Sequence, residues 1–305
     1  MSSPVIEIKQ LVRQFGKTDA VNGLDLSVQP GRCYGLFGRN GAGKTTTIKC
    51  LLDLLKPTSG SVELFGMNPA KEEVAVRSRL AYVPDQLGFY PWMKVVDHFQ
   101  YQASFRKHWN LDMQMDLIGQ FHLDLDQKIN HLSKGQKMQV ALIGALCPEP
   151  ELLILDEPTS GLDPLIRREF IRTVIGAYQD KDPENRTVFV STHLITEFEG
   201  LIDEFTIMDR GLELITLEAD QARAQYKRLV LVFPDNPQLP DLPEIMDCQV
   251  EGREMELWIC GDEQPVRDWA SSFHPESIES HAMTLEEIFL SNVKQEEQNH
   301  VASAH

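Results

Sequence analysis

"GRNGAGKT", Gly38 to Thr45, is the stretch whose reading decides the fold. It fits the pattern G-x-x-x-x-G-K-[ST], and its setting gives that pattern physical meaning. A strand-like run, "RCYGLFG" (32–38), leads into it, and a helix-forming run, "TTTIKCLLDLL" (45–55), leads out. In this context the glycines let the backbone wrap a phosphate chain with its N–H groups pointing inward. The start of the helix adds the positive end of its dipole. Lys44 would then reach the β- and γ-phosphates of a nucleotide and the Thr45 hydroxyl would ligate Mg²⁺. Gly38, Arg39, Asn40, Gly41, Ala42, Gly43 and Thr46 complete the expected cradle. A chance glycine-rich turn is the alternative, and the strand before and helix after argue against it.

A phosphate cradle of this kind needs an acidic residue at the end of a neighbouring strand. "LLILDEP" (152–158) supplies Asp156 for the magnesium shell. Glu157 follows it, placed to act as general base on an attacking water. Two carboxylates capping a strand-to-loop turn would look the same, so the pair gains its weight from Gly38–Thr45. His193 ends another apolar run, "TVFVSTH" (187–193). It reads either as a satisfied structural histidine or as a residue positioning γ-phosphate or water at the same sheet edge.

The rest of the chain fits an α/β protein. Strand-like and helix-like stretches alternate to about residue 215, as expected for a sheet with crossover helices. "VIEIKQLV" and "LDLSV" suggest an antiparallel edge layer. "LIRREFIRTVIGAY" puts Ile166, Phe170, Val174 and Tyr178 on one helical face, a core stripe. A Met-, His- and aromatic-rich stretch, about 87–140, reads as a helical insertion. Beyond residue 215 a small α+β appendage is expected over 216–292, with a polar, disordered tail over 293–305. The 305 residues carry a net charge of -17, which argues against a general electrostatic surface for nucleic acid or anionic lipid. The longest apolar run, "VALIGALC", falls far short of the roughly 20 residues that span a bilayer. No signal peptide is visible. The five cysteines are scattered, with no C-x-x-C pair, so reduced thiols are expected. All this reads as an intracellular, soluble chain.

"HLSKGQ" (131–136) has one glycine and a serine before an apolar helix, so alone it could be a nucleotide contact or only a capped helix start. Taken in order, GRNGAGKT, Gln86 in "VPDQLGFYP", LSKGQ, LLILDEP, SGLDP and STH resemble the nucleotide-binding subunit of ATP-binding-cassette (ABC) transporters over roughly the first 215 residues. The resemblance implies that fold: a P-loop sheet with an antiparallel edge layer and a helical insertion. It implies ATP and Mg²⁺ as ligands and hydrolysis as the activity. Phe15 takes the place of the aromatic that stacks on adenine, an ordinary buried Phe being the alternative. Gln86 resembles the hinge glutamine that reaches Mg²⁺ and the γ-phosphate. Asp163 resembles the residue linking two active sites across a dimer, and His193 the switch histidine.

The resemblance also implies that Ser133, Lys134, Gly135 and Gln136 close over ATP held by a second nucleotide-binding subunit. Lys134 departs from the usual L-S-G-G-Q, as it does in many export-type members, while Gly135 is kept. Met138 and Gln139 depart further. With one set of motifs and no spanning segment, the chain is expected to borrow a transmembrane permease, to sit at the inner face of the membrane through it, and to drive export. "GFYPWM" would then be a docking patch, or else core of the insertion. A soluble member of the same superfamily, acting in translation, DNA repair or cluster assembly, is the second reading. Two cassettes, a long coiled coil or a basic face would be expected there. A small-molecule P-loop kinase does not explain LSKGQ or SGLDP.

Overall fold

The computed structural model describes residues 3–163, 167, 171, 178, 182–234, 240 and 242–303, with side chains to residue 297. β1 (Ile6–Phe15) and β2 (Thr18–Val28) form a hairpin that pairs Phe15 with Thr18. Next comes β3 (Cys33–Gly38), buried at every residue, as a central strand covered on both faces must be. α1 (Lys44–Leu51) and β4 (Ser59–Leu64) follow it. β4 pairs with the free side of β1, so β2-β1-β4 is the antiparallel layer that the sequence suggested.

β3 belongs to a six-stranded sheet with β5 (Leu80–Val83), β6 (Leu152–Asp156), β7 (Thr187–Thr192), β8 (Glu204–Asp209) and β9 (Leu212–Glu218), in the order β5-β6-β7-β3-β8-β9. The β5–β6, β6–β7 and β7–β3 pairs are parallel. Parallel strands end on the same side, and the register makes this specific. Val83 faces Leu155, Asp156 faces Ser191, and Phe37 faces Thr192. Gly38, Asp156 and His193 therefore leave the sheet along one edge, where open α/β sheets bind ligands. The core below them joins both sheets: Ile6, Leu24, Leu36, Ile48, Leu152 and Ile154 are buried together, and Tyr34 stacks on Phe189 at 5.7 Å.

After the short helix α2 (Glu73–Arg77), which precedes β5, the stretch between β5 and β6 is helical. It holds α3 (Val95–Ala103), α4 (Leu111–Gln120) and α5 (Lys134–Leu146). Asn110 caps α4 by accepting from the Met113 N–H, and Met113, Leu117 and Ile118 bury its inner face. In the helical run expected over 165–178, Ile166, Phe170 and Val174 lie outside the described residues. Arg167, Ile171 and Tyr178 are helical, and the buried Tyr178 hydroxyl donates to the Pro150 carbonyl at 2.8 Å.

The chain packs as two units, Met1–Ile202 with Met208–Glu213, and Asp203–Ile207 with Leu214–His305. The second contains an antiparallel sheet in the order β11-β12-β10-β13, with β10 (Tyr226–Val232), β11 (Ile245–Glu251), β12 (Glu254–Cys260) and β13 (Ser277–Ala282). Leu229, Leu231, Met255, Leu257, Ile259 and Val266 form its core. The tail is a correction. Residues 293–303, expected to be disordered, continue the helix Leu285–Ser303. Thr284 and Glu287 box its start, with the Thr284 N–H donating to Glu287 and the Glu287 N–H to the Thr284 hydroxyl. Among the described residues no helix is long and apolar enough to cross a membrane.

Candidate active site

Two glycines show why the loop after β3 has its sequence. Gly43 sits at φ +107°, and a Cβ there would lie 2.3 Å from the Ala20 carbonyl oxygen on β2. Gly41 also has positive φ, +87°, yet nothing lies within 4 Å of where its Cβ would be. The loop is thus tight against the protein at Gly43 and open at Gly41, a backbone concavity facing outward. α1 begins without a side-chain cap and without an acidic residue in its first turn, so its N–H groups are available to an anion.

Lys44 is buried at this opening. Its ammonium donates to the Gly38 carbonyl at 2.8 Å and the Arg39 carbonyl at 3.3 Å, and pairs with Glu157 Oε1 at 2.9 Å. Glu157 uses its other oxygen on His193: Oε2 lies 2.8 Å from Nδ1 and 3.4 Å from the backbone N–H. Glu157 holds φ +49°, an uncommon conformation for a non-glycine residue, and its N–H donates to the Ser191 carbonyl. The backbone is bent so that the carboxylate points back at Lys44 and His193.

Asp156 accepts from the Thr45 hydroxyl at 3.1 Å and from the Ser191 hydroxyl, both through Oδ1. Its second oxygen, Oδ2, is buried without a hydrogen-bond partner among the described residues. Burial raises the Asp156 pKa, the Ser191 and Thr45 hydrogen bonds pull it down, and the charges of Glu157 and Asp85 add to the rise. The Thr45 hydroxyl and the Asp156 carboxylate with its orphaned Oδ2 make a hard-oxygen donor set that fits Mg²⁺. Tyr82 lies beside the same group; burial, then the charges of Asp156 and Asp85, push its phenol upward. Ser191, Tyr82 and Asp85 were not singled out from the sequence. Ser191 could have been, since it precedes His193 by two residues and so shares its strand face.

Lys44, Thr45, Asp156, Glu157 and His193 therefore meet in one place. The other sequence candidates lie outside this cluster. Gln86 is exposed just past β5. Phe15 is 46% exposed at the β1–β2 turn, with the Arg13 guanidinium 4.4 Å over its ring, so it is not an ordinary core phenylalanine. Asp163 is exposed. Ser133 caps α5, accepting from the Gln136 N–H at 3.2 Å while Gln136 Oε1 accepts from the Ser133 N–H at 2.9 Å. Gly135 has ordinary room for a side chain: a Cβ would meet Leu162 at 3.5 Å and Ser133 at 3.9 Å. Among the described residues nothing requires glycine there.

Similarity to known proteins agrees with this geometry. A family profile described as "ABC transporter" matches residues 21–160. The bacitracin transport ATP-binding protein BcrA of Bacillus licheniformis is 34% identical over 229 residues, 74% of either chain. The chain belongs to the ABC transporter ATP-binding family. The Nod factor export ATP-binding protein I of Burkholderia orbicola is 32% identical over 225 residues, covering 70% of this chain and 71% of its own. A solved ATP-binding subunit of an ABC transporter superposes with TM-score 0.65 at 28% identity, over 72% of this chain and 92% of that one. A dimeric cassette bound to ADP and Pi shares the fold, with TM-score 0.62 at 19% identity over 70% of this chain and 98% of its own. As an ABC ATP-binding subunit, this chain binds and hydrolyses ATP. The geometry sets the Lys44 ammonium at the mouth of the loop and the Glu157 carboxylate between Lys44 and His193, an arrangement suited to holding phosphates and activating a water. Mg²⁺, held by Thr45 and Asp156, would neutralise phosphate charge.

Proposed function

We propose that the protein is the ATPase subunit of an exporter, that it binds ATP between two copies or close relatives of this chain, and that it drives a separate membrane permease. The observation that carries the reading is Gly135. The start of α5 offers an exposed Ser133 hydroxyl, no acidic residue in its first turn, and a glycine that its own surroundings do not demand. A close approach from outside the chain accounts for that glycine, and an anion is what such a helix start attracts. Ser133, Lys134, Gly135 and Gln136 then contact the γ-phosphate held by Lys44 of the second subunit, and Asp163 links the two sites. Gln86 reaches Mg²⁺ and the phosphate, and Phe15 takes the adenine.

The permease partner gives the subunit its place at the inner face of the membrane. Trp92, Tyr90, Tyr101 and Phe105 form an exposed aromatic row in the insertion, with ring centroids 5.0–5.8 Å apart along it. They are not core, and an apolar row of this kind suits a partner helix. Export follows from the relatives, whose names describe bacitracin transport and Nod factor export. Residues 1–215 would form the motor and 216–292 an accessory domain. The charge of -17 favours these partners over nucleic acid.

The test places Gly135→Asp in a Glu157→Gln background. The carboxylate fits within the chain but meets the partner's phosphate, so the variant should bind ATP as a monomer as tightly as Glu157→Gln alone and fail to dimerise. Loss of ATP binding by the monomer would mean that Gly135 serves its own chain's nucleotide and would overturn the two-chain reading.

A further inference from the structure

Among the described residues, two side-chain pairs join the segments that follow β6 and β7. Near the strand ends the joint is Glu157 to His193. Further out it is Arg167 to Glu197. The Arg167 guanidinium pairs through one terminal nitrogen with Glu197 Oε1 at 2.7 Å and donates from Nε to the Leu162 carbonyl at 2.6 Å. The two side chains are 22% and 14% exposed. Glu197 lies four residues after His193, in the 3-10 turn Ile195–Glu197, and this turn is anchored by the buried Ile195 and Phe198. The Arg167 backbone N–H in turn donates to the Asp163 carbonyl at 3.0 Å.

Between the two joints, residues 157–162 form consecutive turns. Ser160 N–H donates to Glu157 and Leu162 N–H to Thr159, while Glu157 and Gly161 hold φ of +49° and +73°. Turns of this kind follow a path set by their ends. The same stretch also touches the start of α5: the Lys134 stem lies over Gly161, where a Cβ would fall 2.5 Å from Nζ, and Leu162 is the neighbour of Gly135. Asp163 and the Ser133–Gln136 helix start are the elements assigned above to the second subunit's nucleotide.

We propose that Arg167 and Glu197 are positioning residues that lock the Leu162–Asp163 segment and the helix start beside it to the turn carrying His193. The state of a chain's own γ-phosphate site is thereby transmitted to the surface it presents to the second site. This rests on the two-chain reading. A half-buried ion pair is a poor device for stability alone, because a well-packed apolar pair serves as well. An apolar pair cannot hold the Leu162 carbonyl.

That difference gives the experiment. In the full chain, Arg167→Met/Glu197→Leu removes the hold and leaves no uncompensated charge. Arg167→Lys keeps a cation for Glu197 but loses the Nε donor. Melting temperature, monomer ATP affinity, kcat, and ATP-driven dimerisation in a Glu157→Gln background are measured for each. The double variant should melt near wild type and bind ATP as a monomer within about twofold, while kcat and dimer affinity fall about tenfold, with Arg167→Lys between. Wild-type kcat in the double variant overturns the proposal, and so does a loss of monomer ATP affinity as large as the loss of kcat. If the double variant does not fold, wild-type kcat in Arg167→Lys overturns it equally. Failure of Glu157→Gln to dimerise with Arg167 and Glu197 intact instead refutes the two-chain reading, and the transmission role with it.

Discussion

Glu157→Gln should tighten ATP binding while removing hydrolysis, and the geometry sets the size of each effect. The Lys44 ammonium is held by Glu157 Oε1 at 2.9 Å, with both side chains nearly buried. Lys44 must give up this partner to reach a phosphate. At an effective dielectric constant of about 20, the pair attraction at that distance is about 6 kcal/mol before desolvation. Desolvation offsets most of it, and an amide still accepts a hydrogen bond from Lys44, so the net competition removed is about 1–2 kcal/mol. ATP affinity should therefore rise roughly 5- to 30-fold. The amide cannot take a proton, so hydrolysis should fall about 10²- to 10⁴-fold. Equilibrium binding of a fluorescent ATP analogue at protein concentrations too low for dimerisation isolates the first effect, and single-turnover phosphate release measures the second. Unchanged or weaker binding by the monomer would show that Glu157 does not compete for Lys44, whatever happens to the rate.

Three further outcomes are expected. Lys44→Ala should weaken nucleotide binding at least tenfold in the same titration, since it removes charge-assisted contacts worth about 1.5–3 kcal/mol each. Asp156→Asn should abolish the stimulation of hydrolysis by Mg²⁺ while metal-free nucleotide binding persists, checked by titrating Mg²⁺ against rate and against affinity. His98, buried on α3 against Phe89 without a hydrogen-bond partner on either ring nitrogen, has its pKa lowered by desolvation from 6.5 to about 4. The unfolded chain then binds the extra proton between these values, so stability should fall with pH below 6.5, by about 2 kcal/mol at pH 5. Urea midpoints at pH 7 and 5 should differ less in His98→Phe than in wild type.

The parts of the site that were legible in the sequence are those whose chemistry is contiguous. The cradle Gly38–Thr45 and the pair Asp156–Glu157 each fit within a few residues, because one turn or one strand end must present them together. Tyr82 was not legible, because it reaches Asp156 only through the β5–β6 register, which no single segment contains. "GFYPWM" could be core or surface on composition alone. The fold divides it, seating Phe89 edge-on against His98 and leaving Trp92 66% exposed. The tail was misread for a different reason. Lys, Gln and Glu are both disorder-promoting and good helix formers, so "KQEEQ" is ambiguous until the Thr284–Glu287 box upstream supplies a nucleus for the helix to propagate from.

The two readings of "HLSKGQ" bear on how such a subunit works. Ser133 is a helix cap paired with Gln136, as the capped-start reading expects. Capping alone, however, explains Ser133 and Gln136 and leaves Lys134 and Gly135 unexplained. A cation at the first position of a helix opposes the dipole, and a glycine within a helix costs about 1 kcal/mol relative to alanine. Both costs fall at one exposed point, and that point borders the Gly161–Asp163 turn rather than the cradle. An anion brought there from outside would offset both at once, and the chain itself supplies no such anion in the first turn of α5.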